Sequence, residues 1–210
     1  MTKYLTEFVG TLFLVLTIGL TVLGQSPMAP LAIGASLMIM VYMGGHISGG
    51  HYNPAVSLAA MLRGKLASSE LVPYMIAQLL GATVAALLVY AIMGQTFAPA
   101  PAPTASKIGA LLVETLYTFA LCIVVLNSAC HEKTKGNSFY GLAIGFTIVV
   151  AAFAGGGISG GAFNPAVGTG PTLVHALMGG GSFSSLWLYL VGPFLGSFLA
   201  AALFKQQEGA

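Results

Sequence analysis

Charge is what this sequence has least of. Lys and Arg number seven, Asp and Glu five, together 6% of 210 residues, while 57% are apolar. A chain with so little ionic surface does not hold itself in water as a globule. Long polar connections are missing too, which excludes a sizeable extramembrane domain and, with it, an enzyme acting on dissolved substrates. The first apolar run is too long for a signal-peptide core and no convincing small-residue cleavage site follows it, so it is expected to be retained. No long regulatory tail or obvious modification site is present. Cysteine is limited to Cys122 and Cys130. On one helix they would lie about 12 Å apart, too far for a disulfide. His46 and His51 have no further ligands around them, so no metal site is expected.

What the sequence has in quantity is long apolar runs. Crossing a hydrocarbon core of about 30 Å takes roughly 20 helical residues, and six stretches qualify, at about 4–24, 29–48, 70–94, 108–129, 139–157 and 183–204. Lys3, Arg63, Lys65, Lys133, Lys135 and Lys205 fall on one side of a six-span arrangement and only Lys107 on the other. Cytoplasmic loops collect positive charge, so both termini are expected to be cytoplasmic, in a multi-pass protein of the cell (inner) membrane.

The chain also repeats itself. Residues 44–56 read GGHISGGHYNPAV and residues 155–167 read GGGISGGAFNPAV, agreeing at ten of thirteen positions without a gap. Glu7 pairs with Glu114 around this anchor, and Ala77/Gly81 with Gly192/Gly196. Each half therefore carries three spans. Because three is odd, the second half enters the membrane from the opposite side, which makes an inverted repeat. The expected architecture is all-α: six transmembrane helices and two re-entrant half-helices in one domain over 1–210, with repeat 1 about 1–97, repeat 2 about 107–206 and the Pro-rich segment 98–103 as external connector.

The half-helices are read from 53–63 and 164–178, apolar and helix-compatible but too short to span. Irregular backbone at membrane depth is tolerated where protein buries it or where it lines a water-filled path. Gly49, Gly50, His51 and Gly160 are expected to line such a path, with glycine leaving carbonyls uncovered. Asn53 and Asn164 sit at helix N-caps, with Pro54 and Pro165 at the first helical position and Ala55 and Ala166 following. A lone Asn-Pro marks a helix start and nothing more. Two copies at membrane depth would bring two amide donors and two positive helix ends to one narrow point. Water there donates away from both Asn residues, a proton wire is broken, and cations are repelled.

These segments, with TEFVGTLFLV, AQLLGA, ETLYTFAL, GLAIGF and VGPFLG, make the chain resemble the aquaporin or major intrinsic protein family along essentially its whole length. The resemblance implies six tilted helices and two half-helices around one pore per subunit, usually in a homotetramer. Water, small neutral solutes and the lipid bilayer would be its partners, with no cofactor, no nucleic acid and no catalytic step. It also implies an outer selectivity filter. Most members continue the second motif with Arg, where this sequence has Val167, and counting back from the two Asn residues places the other three filter positions at Ile33, Ala152 and Gly161. A filter of Ile, Ala, Gly and Val is wider and less polar than a water-selective one and is similar to that of Val-containing plant vacuolar members. Urea, glycerol and ammonia-like solutes are thus implied besides water, and metalloid solutes are linked with some bacterial relatives that lack the Arg. Tyr189-Leu190 before VGP also departs from the Trp of strict water channels.

Three readings of function stand on these residues. One is a passive channel for water and small neutral solutes that excludes protons and ions. A second is a strictly water-selective pore. The third, of a different class, is a proton-coupled transporter using Glu7 or Glu114, since ionisable groups at membrane depth are functional candidates. Their symmetric placement suits another job, accepting N–H groups from the re-entrant loop of their own half. His46 and His51 are read as loop-orienting hydrogen-bonding residues, the alternative being a pH-sensitive gate through His51 or cytoplasmic His131.

Overall fold

The structure is a computed structural model and describes residues 1–208. Six helices are long and apolar enough to cross a membrane: α1 (Thr2–Leu23), α2 (Ala29–Ser48), α4 (Ser68–Met93), α5 (Lys107–Val125, prolonged by a wide turn over Leu126–Cys130), α6 (Tyr140–Ser159) and α8 (Leu186–Glu208). Between them lie two short ones, α3 (Pro54–Leu62) and α7 (Pro165–Met178). At 1.5 Å per residue these measure about 14 and 21 Å, short of the hydrocarbon thickness. Phe13, Ile39, Leu80, Leu112, Phe153 and Phe198 are exposed around the outside, as suits a bundle whose solvent is lipid.

The helix ends follow local chemistry. α2 and α6 both stop on a glycine in the left-handed region, Gly49 and Gly160, each at φ 91°. The last helix starts three residues later than its apolar run, because Phe183–Ser185 form a turn in which Leu186 N–H donates to the Phe183 carbonyl at 3.0 Å. It runs further at its other end, where Glu208 pairs with Arg63 at 2.6 Å and Lys65 at 3.3 Å, and Gln207 accepts from Asn127 at 2.8 Å. Lys3 pairs with Glu70 at 2.7 Å. These ion pairs gather the start of α1, the end of α3, the start of α4 and the end of α8 at one end of the bundle.

Packing interleaves the repeats. α1 lies against α4 and α5 against α8 within each half, whereas α3 also packs on α8, α7 on α4, and α2 crosses α6. The small residues decide how close these crossings come. A Cβ on Gly34 would meet the Gly145 carbonyl oxygen at 2.5 Å, and one on Gly145 would meet the Gly34 oxygen at the same distance. Gly141 receives the ring of Tyr42, and Gly192 and Gly196 receive the backbone and Cβ of α5. These glycines therefore serve packing inside one subunit. Backbone oxygens have no rotamer to escape into, so Gly145→Ala is expected to cost about 1–3 kcal/mol through overpacking. Gly157→Ala, at a helical site with nothing within 4 Å, is expected to be neutral or slightly stabilising. Thermal unfolding of the two variants in detergent checks the contrast.

Candidate functional site

Two extended loops, Gly49–Asn53 and Gly160–Asn164, carry the backbone from α2 into α3 and from α6 into α7. The residue before each Asn lies in the left-handed region, Tyr52 at φ 48° and Phe163 at φ 50°. For a bulky side chain this costs about 1–3 kcal/mol and persists only where the surroundings over-determine it. Here they do. Tyr52 N–H donates to Glu7 Oε2 at 2.7 Å, and its carbonyl accepts from Asn164 Nδ2 at 2.9 Å. Phe163 N–H donates to Glu114 Oε2 at 2.6 Å, and its carbonyl accepts from Asn53 Nδ2 at 2.9 Å. Hydrogen bonds to a charged partner are worth about 1.5–3 kcal/mol each, enough to hold the unfavourable conformer. The Tyr52 ring is admitted by Gly10, where a Cβ would collide with it.

Each carboxylate collects more than one loop donor. Glu7 also accepts from Ser48 Oγ at 2.7 Å, His51 N–H at 3.0 Å and Gln78 Nε2 at 2.8 Å. Glu114 accepts from Ser159 Oγ at 2.7 Å and Ala162 N–H at 3.0 Å. Both are fully buried. Tyr74 Oη donates to the Ser48 carbonyl at 2.8 Å, and Tyr189 Oη, in the equivalent place, to that of Ser159. Tyr189 thus braces the second loop from behind and does not line the cavity described next, so its difference from Trp carries no information about pore width.

Each Asn side chain is committed in two directions. Asn53 Oδ1 accepts from Ala55 N–H and Asn164 Oδ1 from Ala166 N–H, both at 2.9 Å, capping α3 and α7. Of the two N–H bonds on each amide, one crosses to the other repeat. The second is left over, at the start of a helix whose first position is Pro54 or Pro165.

Both Asn residues border one cavity of about 400 Å³. Ile33 of α2, Ala152 of α6, Gly161 and Val167 of α7 all line it, as do Gly50, His51 and Gly160. The three residues reached by counting back from the Asn residues, and the Val167 that follows the second motif, are therefore brought to one space. Gly49 is not among the lining residues: it closes α2 with its left-handed backbone and stands exposed beside the loop. Most of the remaining wall is apolar, including Leu14, Ile18, Leu121, Val125, Ile144 and Ile148. Phe97 and, from the connector, Ala98, Pro99 and Ala100 also contribute. Ala102 N–H bonds the Ile158 carbonyl at 3.0 Å, and a Cβ on Gly160 would meet the backbone of Ala100 at 2.6 Å. The connector is thus seated on the second loop. His175, in the last turn of α7, is half-buried and hydrogen-bonded to Thr96 Oγ1 at 2.8 Å. His131 accepts from Lys133 N–H at 3.0 Å and shapes its own loop.

Sequence reasoning missed three features of this site. The crossed Asn bonds join residues 110 and 112 positions apart, and their only local trace is an aromatic residue before each Asn. Ser48 and Ser159 were visible inside the repeated ISGG but had no assigned role. Gln78 and Ser57, described further below, break the repeat and so drew no notice.

Comparison with known proteins agrees with this geometry. The sequence matches the Major intrinsic protein family over residues 1–204. It is 37% identical over 209 residues to Aquaporin NIP1-1 of Zea mays, covering 95% of this chain and 72% of that protein. It is 36% identical over 217 residues to Glycerol uptake facilitator protein-like 6 of Lactiplantibacillus plantarum, covering 96% and 95%. Among solved structures, the aquaglyceroporin from Plasmodium falciparum superposes with a TM-score of 0.87 at 25% identity, covering 97% of this chain and 95% of that one. Six apolar helices, two capped half-helices meeting in a cavity, and relatives of this kind describe a membrane channel for water and small solutes and not an enzyme: the chain belongs to the major intrinsic protein family.

Proposed function

We propose that the chain is a passive channel that admits small uncharged solutes such as urea, glycerol and ammonia-like molecules along with water, and that it excludes protons and ions. The observation that carries the reading is the crossed pair at Asn53 and Asn164. Each amide has one N–H fixed to the opposite loop and one left for the cavity, beside the positive ends of α3 and α7. A water there accepts from both, which orients its own hydrogens outward and breaks a proton wire. Neutral solutes cross the same point with no charge to be repelled.

Solute choice is assigned to the ring of Ile33, Ala152, Gly161 and Val167. None of these brings a charge or a donor side chain, and Val167 adds only a branched apolar group to the wall. Such a ring favours partly apolar solutes over a water-only pore, in keeping with the glycerol facilitator among the relatives. The assembly read here is a homotetramer with one path per subunit, resting on likeness to the family. Both termini are read as cytoplasmic and the membrane as the cell's inner one, a reading supported by the gathering of Lys3, Arg63 and Lys65 at one end of the bundle.

The proton-coupled alternative is disfavoured by the carboxylates themselves. Glu7 accepts four hydrogen bonds, two on each oxygen, so a proton taken up there would displace one of them, and the three bonds of Glu114 all go to its own re-entrant loop and the Ser159 hydroxyl. Neither residue lines the cavity. They serve as loop supports.

In proteoliposomes, flux is expected to follow an osmotic or solute gradient and to ignore an imposed pH gradient. Accumulation of solute against its gradient when protons are supplied would overturn the channel reading. In stopped-flow light scattering, urea or glycerol should enter faster than into empty vesicles, and Val167→Arg should depress solute entry more than water flow. An equal effect on both, or no solute entry in the parent protein, would move the selecting width to other residues.

A further inference from the structure

The two halves differ in one buried polar cluster. In the first half, Gln78 Nε2 donates both to Glu7 Oε2 at 2.8 Å and to Ser57 Oγ at 2.9 Å, and Ser57 Oγ lies 3.0 Å from His51 Nδ1. In the second half the corresponding positions are Pro193, Gly168 and Ala162, so nothing equivalent can form. Glu7, Gln78 and Ser57 are fully buried, and His51 is 7% exposed while lining the cavity.

Hydrogen-bond bookkeeping gives this chain a direction, and it leaves Gln78 Oε1 buried without a hydrogen-bond partner among the described residues. A carboxylate oxygen only accepts, so the Gln78 atom facing Glu7 is the NH₂, which also supplies the hydrogen for Ser57 Oγ. The Ser57 hydroxyl hydrogen then needs an acceptor, and His51 Nδ1 is the remaining atom bonded to Ser57 Oγ. Were Nδ1 protonated, in the other tautomer or in the imidazolium, the Ser57 hydroxyl hydrogen would join Gln78 Oε1 as a second buried polar group without a partner in this one cluster, an arrangement proteins avoid. The titratable groups around the ring offer no substitute. Glu7 reaches His51 through the backbone N–H. Tyr74, with ring centroids 5.4 Å away, spends its hydroxyl on the Ser48 carbonyl. His51 Nε2 has no hydrogen bond to protein among the described residues. It faces Gly49, where a Cβ would stand 2.9 Å from it, and the missing side chain there leaves it uncovered.

We infer that His51 is held as the neutral Nε2–H tautomer by the relay Glu7–Gln78–Ser57, and that its Nε2–H offers a fixed donor to the oxygen of a passing solute on the α2 side of the Asn pair. Ser57 and Gln78 are the positioning residues. The role in solute contact rests on the conduction path proposed above, whereas the tautomer does not. With this relay in place His51 carries no charge near neutral pH and does not act as a pH gate.

Solid-state NMR of ¹⁵N-histidine-labelled protein in lipid, with His51→Phe identifying the signal, reads the two ring nitrogens directly. The native protein at neutral pH should give one species with Nε2 protonated and Nδ1 bare. A protonated Nδ1, alone or with Nε2, would overturn the inference without any variant. Ser57→Ala leaves the four donors of Glu7 in place and should lose this single signature, with Nδ1–H appearing. Gln78→Leu should do the same where it folds. An unchanged signature in folded Ser57→Ala would refute the relay. Glycerol entry should slow in Ser57→Ala, and unchanged entry alongside a mixed tautomer would refute the donor role. A native Nε2–H signature in vesicles without solute flux would leave the tautomer standing and reject the conduction reading alone.

Discussion

Two hydrogen bonds hold the centre of this protein, from the Asn53 amide to the Phe163 carbonyl and from the Asn164 amide to the Tyr52 carbonyl. Much else in the structure exists to make them possible. The carbonyls are presented because Tyr52 and Phe163 adopt left-handed backbone, that backbone is held by Glu7 and Glu114, and the carboxylates are reached because Gly81 and Gly192 let α4 and α8 close on α1 and α5. Buried charge is tolerated at this depth because each carboxylate replaces its lost water with several N–H and O–H donors. The same bonds consume one N–H of each Asn and leave the other for the cavity, so the clamp between the repeats and the polar point of the path are one piece of chemistry.

Symmetry supplies the frame, and its failures supply the chemistry of the path. Glu7 and Glu114, Ser48 and Ser159, Tyr74 and Tyr189 do matching work in the two halves. His51, Ser57 and Gln78 have no counterparts. The α2 side of the path therefore gains a ring nitrogen where the other side has the methyl of Ala162.

Much of this was legible before any coordinates. Hydropathy located the six spans because lipid contact demands long unbroken apolar runs, and the duplicated GG-ISGG-NPAV segment imposed the inverted arrangement. Asn-Pro marked the starts of α3 and α7 through capping chemistry that is local to the chain. Counting back from Asn53 and Asn164 found Ile33, Ala152 and Gly161, which share one cavity with the Val167 of the second motif. What stayed hidden was tertiary. The crossed Asn bonds depend on the halves meeting face to face, and the place of Gly145 against Gly34 could not be told from a contact between subunits, since a small residue looks the same in either setting. The start of α8 and the surroundings of His175 depend on a turn and a threonine partner that hydropathy does not weigh.

The seating of α3 against α8 bears on how the protein is made. The first half-helix is synthesised early, yet one of its walls belongs to the last helix of the chain, and Arg63 and Lys65 at its end await Glu208. Until α8 has entered the bilayer, the first re-entrant segment has an incomplete socket, and the Asn53 amide must already wait for the second loop to bring it the Phe163 carbonyl. Completion of the path is thus a late event of biogenesis. A chain shortened before its final helix would lose the first half of its pore along with the second.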